Sequence, residues 1–196
     1  MIILISGLAG SGKTNTSYAL MSNGSCPRIV FYETDLFTGR IPFDWTNKND
    51  IEGIYQRAGL LVANDMARGD SSFILTLSIP MLRHFTEFRP YLRTAGPLFL
   101  FCLRCDKHEV LRRIHERNRH PQQRQLELDS IDSDYEYLNR FATPHEFVFH
   151  IDNASISEKQ VAGQIAGEIA KHAEPGVVAD GSRLHFGPWS VEAEAN

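Results

Sequence analysis

Residues 7–14 form an octet whose composition and spacing suit phosphate binding: Gly-Leu-Ala-Gly-Ser-Gly-Lys-Thr matches the pattern G-x-x-x-x-G-K-[ST]. The glycines allow the backbone to fold around a phosphate group and to aim its N–H groups inward. The ammonium group of Lys13 can reach the β and γ phosphates, and the hydroxyl of Thr14 can bind the magnesium ion of a nucleotide. The octet therefore predicts binding of ATP or GTP together with Mg2+.

The flanks of the octet are those that a phosphate-binding loop requires. The apolar run Ile2–Ile5 before it predicts a strand, and residues 15–21 after it predict a helix that begins near Lys13. The positive end of that helix would face the bound anion. A dinucleotide fingerprint, G-x-G-x-x-G, cannot be laid over these glycines. The predicted nucleotide-binding residues are Gly7, Ala9, Gly10, Ser11, Gly12, Lys13, Thr14 and Asn15.

Two acidic residues, Glu33 and Asp35, follow the second predicted strand. Ligands of open parallel sheets bind outside the carboxyl ends of the strands, so these carboxylates would lie near the phosphate loop. If the strand extends, side chains two residues apart face the same way. Asp35 could then accept the proton of an attacking hydroxyl, with Glu33 in support, and the magnesium ligands would be Thr14, Glu33 and Asp35. A solvated strand end is the alternative.

The third predicted strand ends in Leu75-Thr76-Leu77-Ser78, without a carboxylate. Many nucleotide hydrolases hold magnesium with an acid at this place, so its absence argues against a motor or switch ATPase. The hydroxyls of Thr76 and Ser78 could instead contact oxygen atoms of a ligand.

Arginine and histidine are concentrated in residues 104–124, against only three acidic residues. Small phosphotransferases use mobile arginines that close over the phosphates and stabilise charge in the transition state. Arg113, Arg117 and Arg119 are therefore candidates for catalytic residues in a lid. A solvated helix face is the alternative for this segment.

The substrate side of the site is predicted from residues 34–48 and from arginines on two helices. This polar and aromatic loop would cover a substrate above the sheet, and its aromatic side chains could stack on a base or pack within the loop. Arg57 and Arg83 could anchor an anionic substrate or serve only surface solubility. The predicted substrate-binding residues are Asp35, Phe37, Arg40, Trp45, Arg57, Ser78 and Arg83.

Short apolar runs alternate with helical stretches, which predicts an α/β fold with a mainly parallel sheet covered on both faces. The predicted strands are Ile2–Ser6, Arg28–Tyr32, Ser72–Leu77, Leu98–Leu103 and Glu146–His150. The later predicted helices are Asn49–Arg68, Pro80–Thr94, one that opens at Asp106, and Ser157–His172 with Ser155 or Ser157 as its cap. We expect residues 1–172 to form the domain and residues 173–196 a tail that is a weak hairpin or disordered.

The composition is ordinary for a soluble globular chain of one domain: 196 residues, 42% hydrophobic, 22% charged, with a net charge of −4. This charge does not favour general polyanion binding, although a local basic patch stays open. Three cysteines without disulfide spacing suit the cytoplasm. The spacing Cys102-x-x-Cys105 invites a zinc site, but an apolar run around Cys102 favours packing. Neither a signal peptide nor a membrane span is predicted.

The chain resembles the small P-loop kinases, above all adenylylsulfate kinase. The octet is close to that family's GLSGSGKS loop, and Glu33-Thr34-Asp35 stands where the family has Asp-Gly-Asp, whose second acid is the base. Residues 50–54 followed by Arg57 are similar to its second helix, and Ser78-Ile79-Pro80 followed by Arg83 is similar to its Ile-Ser-Pro segment. The third strand also resembles gluconate kinase, and the Arg/His-rich stretch resembles lids that include those of polynucleotide kinases.

This resemblance covers about residues 1–172. It implies a P-loop NTPase fold of the nucleoside-monophosphate-kinase-like kind, with three layers, a five-stranded, mainly parallel sheet and an Arg-rich lid. It also implies transfer of the γ-phosphate of ATP, with Mg2+, to a hydroxyl of a small nucleotide-like or metabolite acceptor; residues 36–48 do not match, so the acceptor is not specified. A hydroxyl of DNA or RNA, at an end or on a modified base, is one alternative acceptor. A non-catalytic nucleotide-binding regulator is another alternative, and the oligomeric state is open.

Overall fold

The computed structural model describes residues 1–22, 29–38, 43–92, 96–117, 120–145 and 147–172. Within these residues one sheet contains five strands, all parallel, in the order β2-β3-β1-β4-β5. The strands are β1 (Ile2–Gly7), β2 (Ile29–Glu33), β3 (Ser72–Leu77), β4 (Leu98–Arg104) and β5 (Val148–Asp152). The predicted α/β class and the five predicted strands are confirmed, with ends that differ by up to two residues; Arg28 and Glu146, predicted strand starts, lie outside the described residues.

The sheet is buried on both faces because its central strands are apolar at nearly every position. All six residues of β1 and all six of β3 are buried. Alternate side chains of β1 enter two separate cores: Ile2 and Leu4 pack in one, Ile3 and Ile5 in the other. Helices cover each core, so the fold has three layers, as predicted. The central position of β1 places its carboxyl end between those of β3 and β4.

The helices that the structure describes alternate with the strands. They are α1 (Lys13–Ser22), α2 (Lys48–Ala67), α3 (Ile79–Arg83), α4 (Phe85–Phe88), α5 (Lys107–Glu116), α6 (Pro121–Arg140) and α7 (Glu158–His172), with 3-10 turns at Thr34–Phe37 and Arg89–Tyr91. Helices α1 and α7 cover one face of the sheet, and α2 to α6 cover the other. The predicted caps at Asp106 and Ser157 are confirmed: each side chain accepts backbone N–H groups of the first helical turn.

The predicted continuous helix Pro80–Thr94 is wrong. The chain instead breaks at His84, whose backbone (φ −107°, ψ 9°) is not helical, and then passes through α4 into a 3-10 turn that contains Pro90. Proline lacks the N–H group that an α-helix needs and disfavours helical geometry at the residue before it. Thr94, the predicted end of this helix, lies outside the described residues.

Helix α6 has 20 residues and was not predicted from the sequence. Its apolar positions facing the core, Leu128, Ile131, Tyr135 and Leu138, are three or four apart and form a narrow stripe in a polar segment. Pro121 occupies its first position, and the His120 side chain accepts the N–H of Gln122. The predicted tail, residues 173–196, lies outside the described residues. Among the helices that the structure describes, each is too short or too polar to cross a membrane.

Candidate active site

The predicted phosphate loop connects β1 to α1 at the carboxyl edge of the sheet. Its glycines have backbone angles that other residues rarely adopt: φ is +153° at Gly7, +82° at Gly10 and +89° at Gly12. A Cβ atom on Gly7 would lie 2.6 Å from Ser11 Oγ and 2.9 Å from the Leu103 carbonyl oxygen. The loop therefore needs glycine both for its turns and for its close approach to β4.

Lys13 crosses the loop from the first turn of α1. Its ammonium group donates to the carbonyl oxygen of Gly7 at 2.9 Å and to that of Leu8 at 3.0 Å. In a trans peptide the C=O and the following N–H point in opposite directions, so these contacts also orient the next N–H groups of the loop. Lys13 thus holds a positive charge at the loop, where phosphate oxygens of a nucleotide would bind.

Two side chains from other elements also hold carbonyl groups of the loop. Asn153, just after β5, donates from Nδ2 to the Ser11 carbonyl oxygen at 2.6 Å. Arg113 of α5 donates from Nη1 to the Gly10 carbonyl oxygen at 3.4 Å. Asn153 was missed in the sequence, although its place after a strand is the same signal that singled out Glu33. Arg113, predicted for a lid, contacts the loop itself.

Thr14 and Glu33 form the link between the loop and the acidic pair. The Thr14 hydroxyl donates to Glu33 Oε1 at 2.9 Å, so α1 is joined to the end of β2. A hydroxyl and a carboxylate are hard oxygen ligands of the kind that Mg2+ prefers, and magnesium sites often use few protein ligands plus phosphates and water. The buried Ser11 hydroxyl has no hydrogen-bond partner among the described residues. This donor set and the glycine-lined loop fit a magnesium–nucleotide complex.

Asp35 lies beyond the strand, so the expected alignment of Glu33 and Asp35 along an extended strand is wrong. β2 ends at Glu33, and the exposed Asp35 belongs to the 3-10 turn Thr34–Phe37. The turn begins there because the buried Thr34 side chain donates to the Thr76 carbonyl oxygen of β3 and lies 3.2 Å from the Met81 sulfur. Asp35 is thus presented at the carboxyl edge by a turn rather than by strand alternation.

Arg57, predicted to bind substrate, holds the same turn from α2. Its Nε donates to the Phe37 carbonyl oxygen at 2.6 Å and its Nη2 to that of Thr38 at 3.4 Å. A Cβ atom on Gly53 would lie 3.2 Å from Nη1 of this guanidinium, so a glycine leaves room for it. The Phe37 ring packs beside Tyr32, with centroids 5.9 Å apart. Burial and a hydrogen bond to Asp65 raise the pKa of Tyr32.

Arg83 and Ser78, also predicted to bind substrate, lie at the two ends of α3. Arg83 pairs with Asp134 of α6 at 3.1 Å, and its guanidinium lies 4.3 Å from the Tyr137 ring centroid. The structure therefore places Arg83 between two helices. The Ser78 Oγ atom is buried, and the described residues give it no hydrogen-bond partner. Its position after β3 is next to the phosphate loop, because β3 pairs with β1 up to Ser6.

The Arg-rich segment is extensively paired with acidic residues. Arg112 contacts Glu109 and Glu116, and Arg113 donates to Glu109 at 2.6 Å. Hydrogen bonds from these two arginines lower the pKa of Glu109 to about 2. Arg117 follows α5, and its carbonyl oxygen accepts a hydrogen bond from Arg124. The predicted site residues Arg119 and Arg40 lie outside the described residues.

The aromatic residues predicted to cover a substrate are partly buried. Phe43 and Trp45 form an edge-to-face pair with centroids 4.7 Å apart, and both pack against the core, as does Phe37. Of the two roles predicted for these rings, stacking on a base or packing within the loop, the contacts favour packing. The two cysteines of the C-x-x-C spacing are buried free thiols, and burial raises the pKa of Cys102 to about 12. Such a thiol stays protonated and packs as an apolar group.

Comparison with solved structures identifies the fold. A tunicamycin resistance protein from Deinococcus radiodurans has 19% identity and a TM-score of 0.61, with 86% of this chain and 94% of that chain covered. A gluconokinase from Sinorhizobium meliloti 1021 has 17% identity and a TM-score of 0.61, with 88% and 93% covered. A sugar kinase from Janibacter sp. HTCC2649 has 18% identity and a TM-score of 0.61, with 91% and 98% covered. Neither a protein-family model nor a curated protein matches the chain. The chain therefore shares the α/β fold of these three proteins, two of which are named as kinases, and the resemblance to adenylylsulfate kinase stays a prediction.

Proposed function

We propose that this protein transfers the γ-phosphate of ATP to a hydroxyl group of a small metabolite. The observation that carries the proposal is the Thr14–Glu33 contact, which brings a potential magnesium site, the glycine loop and the acidic turn into one assembly. The kinase names of two solved structures with this fold, a gluconokinase and a sugar kinase, support a small acceptor. Those names include no nucleic-acid kinase, and the net charge of −4 gives a polynucleotide acceptor no support.

In this proposal each residue of the assembly has one role in binding. Backbone N–H groups of residues 10–14 and the Lys13 ammonium group hold the β and γ phosphates. Thr14 and Glu33 hold Mg2+, which when bound offsets negative charge on the phosphates. The predicted lid arginines Arg113, Arg117 and Arg119 stabilise the charge that shifts during transfer.

Asp35 acts as the general base. Its carboxylate accepts the proton of the acceptor hydroxyl while that oxygen forms a bond to the γ-phosphorus and the bond to the β–γ bridging oxygen breaks. A base must keep its position through this step, and the turn that carries Asp35 is held by Thr34 on one side and Arg57 on the other. Arg40 and Ser78 remain proposed contacts of the acceptor, whereas the packing of Phe37 and Trp45 and the ion pair of Arg83 give these three residues no support as contacts.

The decisive experiment is a transfer screen with γ-labelled ATP and Mg2+. Sugars, sugar acids, nucleosides, nucleotides, and single- and double-stranded DNA are offered in turn, with Lys13→Ala as the inactive control. We expect transfer to at least one small hydroxyl compound and none with the control. Transfer only to DNA would change the proposed acceptor from a small metabolite to a nucleic acid. Tight ATP binding without transfer to any acceptor would favour a nucleotide-binding regulator.

A further inference from the structure

Asn153 is a buried polar residue that joins β5 to the phosphate loop. It follows β5 directly and is only 4% exposed. Its backbone N–H donates to the Arg104 carbonyl oxygen at 2.8 Å, which fixes it beside the end of β4. From there its Nδ2 atom donates to the Ser11 carbonyl oxygen at 2.6 Å. The side chain thus connects the edge of the sheet to the middle of the loop.

The orientation of the Asn153 amide is fixed by the chemistry of its partner. A carbonyl oxygen only accepts hydrogen bonds, so the NH2 group and not Oδ1 must face Ser11. The Oδ1 atom is buried, and no donor in the described part of the chain reaches it. Burial of a polar amide is unfavourable unless its hydrogen bonds are satisfied. The contact with the loop is therefore the interaction that compensates for burying this side chain.

Holding the Ser11 carbonyl has a direct effect on Gly12. The two groups share one peptide plane, in which the C=O of Ser11 and the N–H of Gly12 point in opposite directions. Asn153 also lies close to Gly12: a Cβ atom on Gly12 would lie 3.9 Å from Asn153 Nδ2 and 3.9 Å from Arg113 Nη1. Because the Ser11 C=O points toward Asn153 Nδ2, the Gly12 N–H of the same peptide points away from Asn153.

We infer that Asn153 is a positioning residue, which aims the Gly12 N–H at a phosphate group of the nucleotide by holding the Ser11 carbonyl. The inference rests on the proposed nucleotide site but not on the transfer reaction or its acceptor. Asn153 contributes to the phosphate part of the binding free energy and not to recognition of the base. Removal of the Asn153 side chain should therefore weaken the binding of phosphorylated ligands and leave the binding of unphosphorylated ligands unchanged.

Binding of MgADP and of adenosine to purified protein tests this role by calorimetry. Asn153→Ala removes the donor, and we expect the Kd for MgADP to rise about tenfold, as for one lost hydrogen bond, with adenosine binding unchanged. Asn153→Asp keeps the size of the side chain but places an oxygen against the Ser11 carbonyl oxygen, so it should weaken the binding of MgADP at least as much. Asn64→Asp, the same change at an exposed position of α2, serves as the matched control and should bind as the wild type does.

The outcomes separate this inference from the proposed function. Wild-type protein that does not bind MgADP would overturn the nucleotide site itself. Wild-type binding with an unchanged Kd in both Asn153 variants would overturn only the positioning role. Equal losses for MgADP and adenosine would also overturn it, since they would indicate contact with the base or a general structural effect. If Asn153→Ala does not fold, as judged by thermal unfolding without ligand, the isosteric Asn153→Asp decides.

Discussion

The Thr14 hydroxyl donates to the Glu33 carboxylate across 2.9 Å, from the first turn of α1 to the last residue of β2. Nineteen positions separate the two residues in the sequence, and each belongs to a different candidate motif. Their contact makes the phosphate loop and the acidic segment a single site. Under the proposed function, a chemical change at either residue should therefore affect the same step, which is binding of the magnesium–nucleotide complex.

Thr14→Val and Glu33→Gln should each weaken the binding of MgATP by about tenfold or more, because the first removes a hydroxyl ligand proposed for Mg2+ and the second replaces a charged carboxylate ligand with a neutral amide. The double variant should lose much less affinity for MgATP than the product of the two single-variant losses, since both residues act through one ion. Calorimetric titration of ATP with and without Mg2+ measures this coupling. Losses of equal size in the absence of Mg2+ would contradict the proposed metal role.

Asp35→Asn should lower the turnover number by a factor of about 10² to 10⁴, the usual contribution of a general base, and leave ATP affinity nearly unchanged. Asparagine keeps the size of the side chain but cannot accept the hydroxyl proton. Single-turnover transfer to the acceptor found in the screen is the measurement. Asp70→Asn, an acid beyond the opposite end of α2, is the control and should retain full activity. Normal turnover of Asp35→Asn would assign the base to another residue.

Gly59→Ala should destabilise the fold by about 1 to 3 kcal/mol, the usual cost of overpacking. A Cβ atom at this position of α2 would lie 2.2 Å from the Tyr91 carbonyl oxygen, so the backbone of the neighbouring turn must move. Gly167→Ala, in α7, is the matched control: a Cβ atom there has no neighbour within 4 Å, and alanine favours a helix by about 0.5 to 1 kcal/mol. Urea denaturation should thus give opposite signs, and equal effects would contradict this packing.

The parts of the site that are local in sequence could be predicted from it. Residues 7–14 form the predicted loop between β1 and α1, with positive φ at Gly10 and Gly12, because the geometry depends on glycines at fixed spacing. Glu33 at the end of β2 and Asp35 after it lie at the same edge of the sheet as this loop, because parallel strands bring their carboxyl ends together. Such features depend on residue type and on the alternation of strands and helices, both of which are visible in the sequence.

The parts that depend on tertiary partners could not be predicted. Asp35 was expected on an extended strand, but a hydrogen bond from Thr34 to β3 turns the chain before it. Arg57 and Arg83 were proposed as anion anchors. In the structure Arg57 donates to a backbone turn, and Arg83 pairs with Asp134. Whether an arginine contacts a carbonyl group, a carboxylate or a ligand depends on where the fold places its side chain. Spacing along the chain does not determine that choice.

The carboxylate of Glu109 should give the fold an acid-dependent stability. Hydrogen bonds from Arg112 and then Arg113 hold its pKa at about 2, below the ordinary value of 4.5 that applies when the chain is unfolded. A group with a lowered pKa in the folded state stabilises the fold above its unfolded pKa, and this contribution is lost as the pH falls toward the folded pKa. The contribution of Glu109 should therefore be complete above about pH 5 and disappear between about pH 4.5 and pH 2.

Glu109→Gln tests this expectation because glutamine keeps the size of the side chain and does not titrate. Other carboxylates also titrate in this range, so the measured quantity is the wild-type minus variant difference in the free energy of unfolding, from urea denaturation at several pH values. That difference should be constant above pH 5, shrink as the pH falls, and be reduced by added salt because the ion pairs of Glu109 are partly exposed to solvent. A difference that stays constant down to pH 3 would contradict the lowered pKa of Glu109.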